Sequence, residues 1–382
     1  MRVEVKPELL KWARERASYD LAVLAHRFPK LAEWEQGAAQ PTLKQLEDFA
    51  KATHTSIGFL FLTEPPVERV PIPDFRTVKN SHVPRPSPDL LDTVYVCQQR
   101  QEWYRDFARS MGEAPLSFVG SASLQSDIET TAATMREELG FDLEERRQLP
   151  TWTDALRRFV EQADAKGILV MCNGVVQNNT HRKLDPEEFR GFALADDLAP
   201  LVFINGADTK AAQMFTLAHE LAHIWLGQSA ISDVQASQLP KNEVERWCNQ
   251  VAAELLAPLA AVSSEYQKKA SLRSELDRLA KRFKVSTLVV LRRIHDAGGL
   301  NKAEFRMAYQ EEFKRLAEMP RSDSGGGNFY RTQAARVGKR FARALVMSTL
   351  EGQTLHRDAF RMLGFAKLET FHELGRSLGV MA

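Results

Sequence analysis

Material for disulfides is scarce: the 382 residues hold three cysteines, Cys97, Cys172 and Cys248, odd in number and widely spaced. No disulfide framework can be built from that pattern. Excess charge is missing too, with 51 basic against 50 acidic residues and a net +1. Without a strong global field, any contact with DNA has to come from a local patch. No apolar stretch approaches the ~20 residues that a membrane span needs. The N-terminus shows no basic start, apolar run and cleavage site in succession, so no signal peptide is read there. Internal repeats are absent. These absences together lead us to expect a cytoplasmic protein with no membrane partner.

What is present suffices for two or three domains, each with its own core: 44% of residues are hydrophobic and 26% charged. Residues 8–62 read as short helices, with Leu9, Leu10 and Ala13, then Leu21, Leu24 and Ala25, at helical spacings. Pro41-Thr42 starts a further helix whose Leu43, Leu46, Phe49 and Ala50 share a face. Glu64-Pro65-Pro66 stops helical structure, and Pro71 and Pro73 keep the chain extended through Asp74-Phe75-Arg76 toward the Pro-rich Val83–Pro88. Helices are expected over 89–112, 125–139 and 152–165, and strands over 167–171, 189–194 and 201–205. Asp208 is expected to cap a helix over 209–226 that Gly227 ends, followed by a helix over 242–257 that stops at Pro258. Beyond that come helices over 273–283 and 286–295, a flexible Ser322–Gly327 linker, and helices over 329–350, 357–363 and 367–378. The expected class is mainly α with a small β-sheet (α+β). The boundaries fall at 1–64, 65–149 (linker and helical connector), 150–299 and 300–382 (a helical C-terminal region).

Chemistry concentrates in Thr216–His223, which contains His-Glu-x-x-His. On a helix, His219 and His223 stack one turn apart, so both imidazoles can share one ion. Glu220 falls beside the ion, placed to take a proton from metal-bound water and pass it to a leaving amine. Leu217, Leu221, Ile224 and Trp225 form the apolar stripe that buries the helix. The preceding strand, Leu201–Asn205, is expected at the edge of a cleft, free to pair with an extended peptide. A catalytic zinc site takes three protein ligands and keeps one position open. The third ligand is sought among Asp233, Glu243, Glu245 and Glu254. Glu245 is favoured because Asn249 follows one turn later, where it can hydrogen-bond a ligand histidine from behind; Glu254 is the alternative. His372-Glu373-Leu374-Gly375-Arg376 imitates the motif but has Arg where the second histidine belongs.

Phe215–His223, Glu245-x-x-Cys-Asn249 and Ala252–Pro258 together resemble the ImmA/IrrE family of zinc metallopeptidases over roughly residues 150–297. The resemblance implies a zincin-like core, zinc held by His219, His223 and Glu245, Glu220 as catalytic base, and limited cleavage of one regulatory protein. Residues 8–62 resemble the XRE-type helix-turn-helix, on Trp34–Gly37, Pro41-Thr42, Leu46, Ala50 and Phe59–Leu62. That resemblance implies a module binding DNA, as dimers when it reads DNA, with Pro29–Trp34 as the reading helix and Arg27, Lys30 and Lys44 on the phosphates. Glu33 and Glu35 would oppose phosphate contact, so docking of a protein partner is the competing role. Leu276–Ala297 suggests a second helix-turn-helix, where scaffolding is favoured over a positive patch of Lys281, Arg282, Lys284, Arg292 and Arg293. Gly325–Tyr330 resembles a stretch of longer family members that look like antitoxins of PIN-like nuclease toxins. Two functions therefore stand side by side: a zinc endopeptidase cutting a regulatory protein, and a DNA-binding antitoxin that holds a toxin partner.

Overall fold

A computed structural model describes residues 2–75, 85–232, 242–318 and 329–381. The Val83-Pro84 part of the Pro-rich stretch, the Ser322–Gly327 linker and most of the Gly325–Tyr330 stretch lie outside the described residues, as does Asp233. The chain forms two compact units, Met1–Pro71 with Val78–Tyr95 and Ile72–Thr77 with Val96–Ala382. Its class is mainly α with a small sheet, as expected.

The first unit carries α1 (Pro7–Arg16), α2 (Leu21–Ala25), α3 (Leu31–Glu35), α4 (Leu43–Ala52) and a 3-10 turn at Ile57–Phe61. Proline at the start of α1 costs no hydrogen bond there and fixes the entry. Thr42 and Gln45 form a reciprocal capping box that starts α4. The core gathers Leu9, Leu10, Leu31, Leu46 and Phe49, with the Phe28 ring set against Trp34 and Phe49. Arg14 holds both oxygens of Glu35, at 2.7 and 3.0 Å, and ties α1 to α3.

Helix α5 (Pro88–Ser110) begins in the first unit and ends in the second. The second unit continues with α6 (Ile128–Leu139), α7 (Leu143–Gln148), α8 (Trp152–Ala165), β1 (Leu169–Asn173), β2 (Val175–Val176), β3 (Asn179–Lys183), β4 (Gly191–Leu194) and β5 (Leu201–Asn205). There follow α9 (Lys210–Trp225), β6 (Ala230–Ser232), α10 (Glu243–Leu256), α11 (Leu259–Glu265), α12 (Leu272–Phe283), α13 (Thr287–Asp296) and α14 (Lys302–Glu318). The last elements are α15 (Phe329–Val337), α16 (Lys339–Leu350), α17 (His356–Leu363) and α18 (Leu368–Ser377).

The main sheet has the order β1-β5-β4-β6, with β1 parallel to β5 and the other two pairs antiparallel. This overturns the expectation for Leu201–Asn205. That strand is interior, paired on both sides and buried at every residue, so it has no free edge to offer a peptide. Its unbroken apolar run is what burial on both faces requires. The edge next to α9 belongs to β6, a three-residue strand. Even that edge is taken: Ile231 accepts from the Phe75 N–H at 3.0 Å and donates to the Pro73 carbonyl at 2.9 Å. At the other end of the sheet, the α15–α16 junction packs on β1. Gly338 turns there at φ +83, with a Cβ position 3.1 Å from the Val170 carbonyl. The single helix expected over 329–350 is therefore two, broken where only glycine fits both the backbone angle and the contact.

Helix α9 is buried on every side from Gln213 to Trp225, with an apolar face in the core and Thr216, His219, Glu220 and His223 as enclosed polar groups. Leu217, Leu221 and Ile224 are fully enclosed, each worth about 1.5–3 kcal/mol of transfer free energy. Its N-cap is Thr209, whose hydroxyl accepts from the Ala212 N–H, and not Asp208, which pairs with Arg190 at 2.9 Å. Three of the basic residues around α12 and α13 are neutralised locally. Arg282 meets Glu144 and Glu265, Arg292 meets Asp296, and Arg293 is buried against Glu254.

Candidate metal centre

Helix α9 starts at the end of β5, and its 3.6-residue turn sets His219 and His223 on one face with ring centroids 4.9 Å apart. Helix α10 packs against α9 and starts with Asn242, whose side chain accepts from the Val244 N–H. Three residues into α10 from that cap, Glu245 turns toward the two histidines. Its Oε1 lies 3.0 Å from His223 Nε2 and its Oε2 lies 3.4 Å from His219 Nε2, while the two Nε2 atoms are 3.1 Å apart. These three residues form a buried group able to hold a metal ion. Asn249, one turn beyond Glu245, places its Oδ1 3.0 Å from His219 Nδ1. The Nδ1–H then donates to Asn249 and leaves the Nε2 lone pair facing the other donors.

The other candidate acids do not join them. Glu243 is exposed at the start of α10. Glu254 faces away and forms a buried pair with Arg293, while also accepting from the Leu259 N–H at 3.2 Å. Near the C-terminus, the imitation motif lies on α18, where Glu373 pairs with Arg376.

The electrostatics suit a cation. Burial lowers His223, keeping it neutral, and the neighbouring His219 adds to that. Burial works to raise Glu245, but the charge and hydrogen bonds of the two histidines outweigh it and hold its carboxyl well below the ordinary range. Neutral imidazoles and an ionised carboxylate are the forms that bind a metal. Glu220 is fully enclosed, and among the described residues neither carboxylate oxygen has a hydrogen-bond partner within reach. Burial first, and the Glu245 charge second, push it well above the usual carboxylate range. A buried carboxyl left unpaired is costly. A divalent cation next to it would remove that cost. Two bare Nε2 atoms at 3.1 Å point to the same remedy. The donor set fits zinc.

Sequence reasoning missed two residues at this site. Ser232, at the end of β6, places its Oγ 3.3 Å from both Nε2 atoms and 3.2 Å from Glu245 Oε1. Phe75 lies against His223, with ring centroids 6.3 Å apart and planes 25° from parallel. Neither is part of a spacing pattern; the one available hint was the extended reading of Pro73–Phe75. The residues expected on DNA lie in the first unit. Arg27 and Lys30 are exposed near the α2–α3 turn, and Lys44 is exposed and paired with Asp48 at 3.1 Å.

Residues 163–295, roughly a third of the chain, match the peptidase M78 family, described as the IrrE N-terminal-like domain. Residues 337–377 match a domain of unknown function (DUF8813). No curated protein matches the chain. The matched stretch contains α9, β6 and α10, and with them every donor at the site. It supports an IrrE-like peptidase domain there.

Proposed function

We propose that this chain is a zinc metallo-endopeptidase, and that His219, His223 and Glu245 hold the ion. The observation that carries the reading is the three-donor cluster with an enclosed, unpartnered Glu220 next to it, inside the stretch that matches an IrrE-like peptidase domain. Zinc bound there would supply a polarised water and a Lewis acid for the peptide carbonyl. Glu220 takes the proton of the attacking water and returns it to the leaving amine. Asn249 fixes the His219 tautomer, and enclosure by α9, β6 and α10 excludes bulk water from the donors.

Limited cutting of one regulatory protein fits this site better than general digestion. The edge strand beside the donors is already paired by Pro73–Phe75, so an extended substrate must compete for it. The first unit is assigned the task of bringing the peptidase to its target, as a helix-turn-helix-like module. The target is DNA through Arg27, Lys30 and Lys44, or a protein partner such as a regulator or a toxin.

The test is metal content together with cleavage, measured on the full chain. One zinc per chain is expected in the wild type, lost in His219→Ala and retained in Glu220→Ala. New N-termini, counted by mass spectrometry after incubation with a host-cell lysate, should appear with the wild type only. No zinc in the wild type after metal is supplied sinks the reading, and cleavage by Glu220→Ala at the wild-type rate removes Glu220 as base.

A further inference from the structure

We propose that Ser232 is the fourth donor of this metal centre, so that the resting site is closed and opens by giving up a neutral hydroxyl. The inference rests on the zinc reading above and concerns a residue which that reading leaves idle. Ser232 Oγ is fully enclosed and lies 3.2–3.3 Å from one atom of each of the three donors. Those donors are themselves 3.0–3.4 Å apart. Among His219 Nε2, His223 Nε2, Ser232 Oγ and Glu245 Oε1 five edges are 3.0–3.3 Å, and Glu245 Oε2 closes the sixth side at 3.4 Å from His219. A tetrahedron with edges of about 3.2 Å has its centre about 2.0 Å from each vertex, the bond length of four-coordinate zinc.

Hydrogen bonding alone does not account for the cluster. A serine hydroxyl has one proton to give and two lone pairs to offer. It can donate to Glu245 Oε1 and accept from His223 Nε2–H. With Asn249 taking the His219 Nδ1–H, the one His223 Nε2–H is shared between His219 Nε2 at 3.1 Å and Ser232 Oγ at 3.3 Å, so the two protons of His223 and Ser232 serve three acceptors. A cation among the four atoms satisfies all of them together.

Ser232 is also held in place against the donors. Its backbone is fixed from two directions. Strand β4 pairs with Ser232 through Gly191, and the preceding residue, Ile231, is hydrogen-bonded to Pro73 and Phe75. A neutral hydroxyl is a weaker ligand than imidazole or carboxylate, so water or a substrate carbonyl displaces Ser232 before any of the other three.

Cobalt(II) is the probe, loaded into the full chain in place of zinc. In Ser232→Cys the side chain becomes a thiolate, and one that reaches the metal gives an intense near-ultraviolet charge-transfer band. Wild type, which carries the buried Cys248 nearby, is the control and should lack it. The expected result is one cobalt per chain with the band in Ser232→Cys alone. One cobalt per chain without the band overturns the proposal. Ser232→Ala is read independently: the visible cobalt spectrum should change as water takes the vacated position, and a spectrum identical to the wild type also overturns it. A wild type that binds no cobalt and no zinc fails at the earlier step, and both readings fall together.

Discussion

The two buried glutamates of α10 should fail in opposite ways, and that contrast separates a metal ligand from a structural ion pair. Glu254 and Arg293 have side chains each 8% exposed and directly paired. Arg293 also donates to the Ala257 carbonyl at 2.9 Å, and Glu254 accepts from the Leu259 N–H. The pair thereby joins the end of α10 to α11 and α13. Glu254→Ala leaves the buried guanidinium with only the part-exposed Asp296 at 4.0 Å as counter-charge, a loss at or below the about 3–5 kcal/mol typical of a broken buried pair. Domains of this kind have about 5–15 kcal/mol in total, so the variant should lose a large share of its stability. Its metal site, one helical face away, should keep one zinc per chain while folded. Glu245→Ala should behave in reverse, losing zinc while remaining folded. Urea titrations followed by circular dichroism, with metal content measured on the folded fraction, distinguish the two. The double variant Glu254→Met with Arg293→Met removes both charges and should recover most of the loss, because a buried pair seldom outperforms well-packed apolar residues. Equal stability of Glu254→Ala and wild type, or zinc lost from Glu254→Ala while it is still folded, would refute this reasoning.

Two further outcomes follow from packing and burial. A Cβ added at Gly191 would lie 2.6 Å from Thr216 Cγ2, 2.8 Å from the Phe203 carbonyl and 3.1 Å from Glu220 Oε1. Gly191→Ala should therefore force β4 away from α9 at a cost of about 1–3 kcal/mol, read as a lower urea midpoint; an unchanged midpoint means the approach is not tight. Burial pushes the Cys97 thiol up to about 12, against about 8.5 in an unfolded chain. The folded state therefore holds a proton that the unfolded state releases, and the resulting stability is intact below about pH 8.5. Above that it should decline by about 1.4 kcal/mol per pH unit until about pH 12. Cys97→Ala should lack that share of the decline, and parallel curves for the two proteins would contradict the assignment.

Much of this was legible in the sequence because it depends on local spacing. The i, i+4 histidines, the Asn242 cap, the Glu245 to Asn249 turn and the stop at Pro258 are all consequences of helical geometry. Strand order is not local. Nothing in Leu201–Asn205 tells an interior strand from an edge strand when both are apolar, and here pairing with β1 and β4 decided it. Strand β6 has three residues, too few for alternation to register, so Ser232 passed unnoticed. The break at Gly338 within the helix expected over 329–350 went unread, because its cause is the Val170 carbonyl, distant in sequence. Glu254 competed with Glu245 until its partner was known, and Arg293 is 39 residues away.

The helices that cover the β1 edge give the protein two outlines that do not coincide. The match to the peptidase M78 family spans residues 163–295, and that stretch holds His219, His223 and Glu245. Folding draws on more. Gly338 is seated on Val170, Arg100 grips the Met362 carbonyl at 2.8 and 3.0 Å, and Gln333 donates to the Leu363 carbonyl at 2.6 Å. Excising that stretch would keep the three candidate donors and strip one border of the sheet bare, an open template for aggregation. Grafting a related peptidase into this chain would meet the same seam, since the incoming β1 must suit a flank that evolved with a different neighbour. The stretch that matches the peptidase family is smaller than the compact unit it folds in.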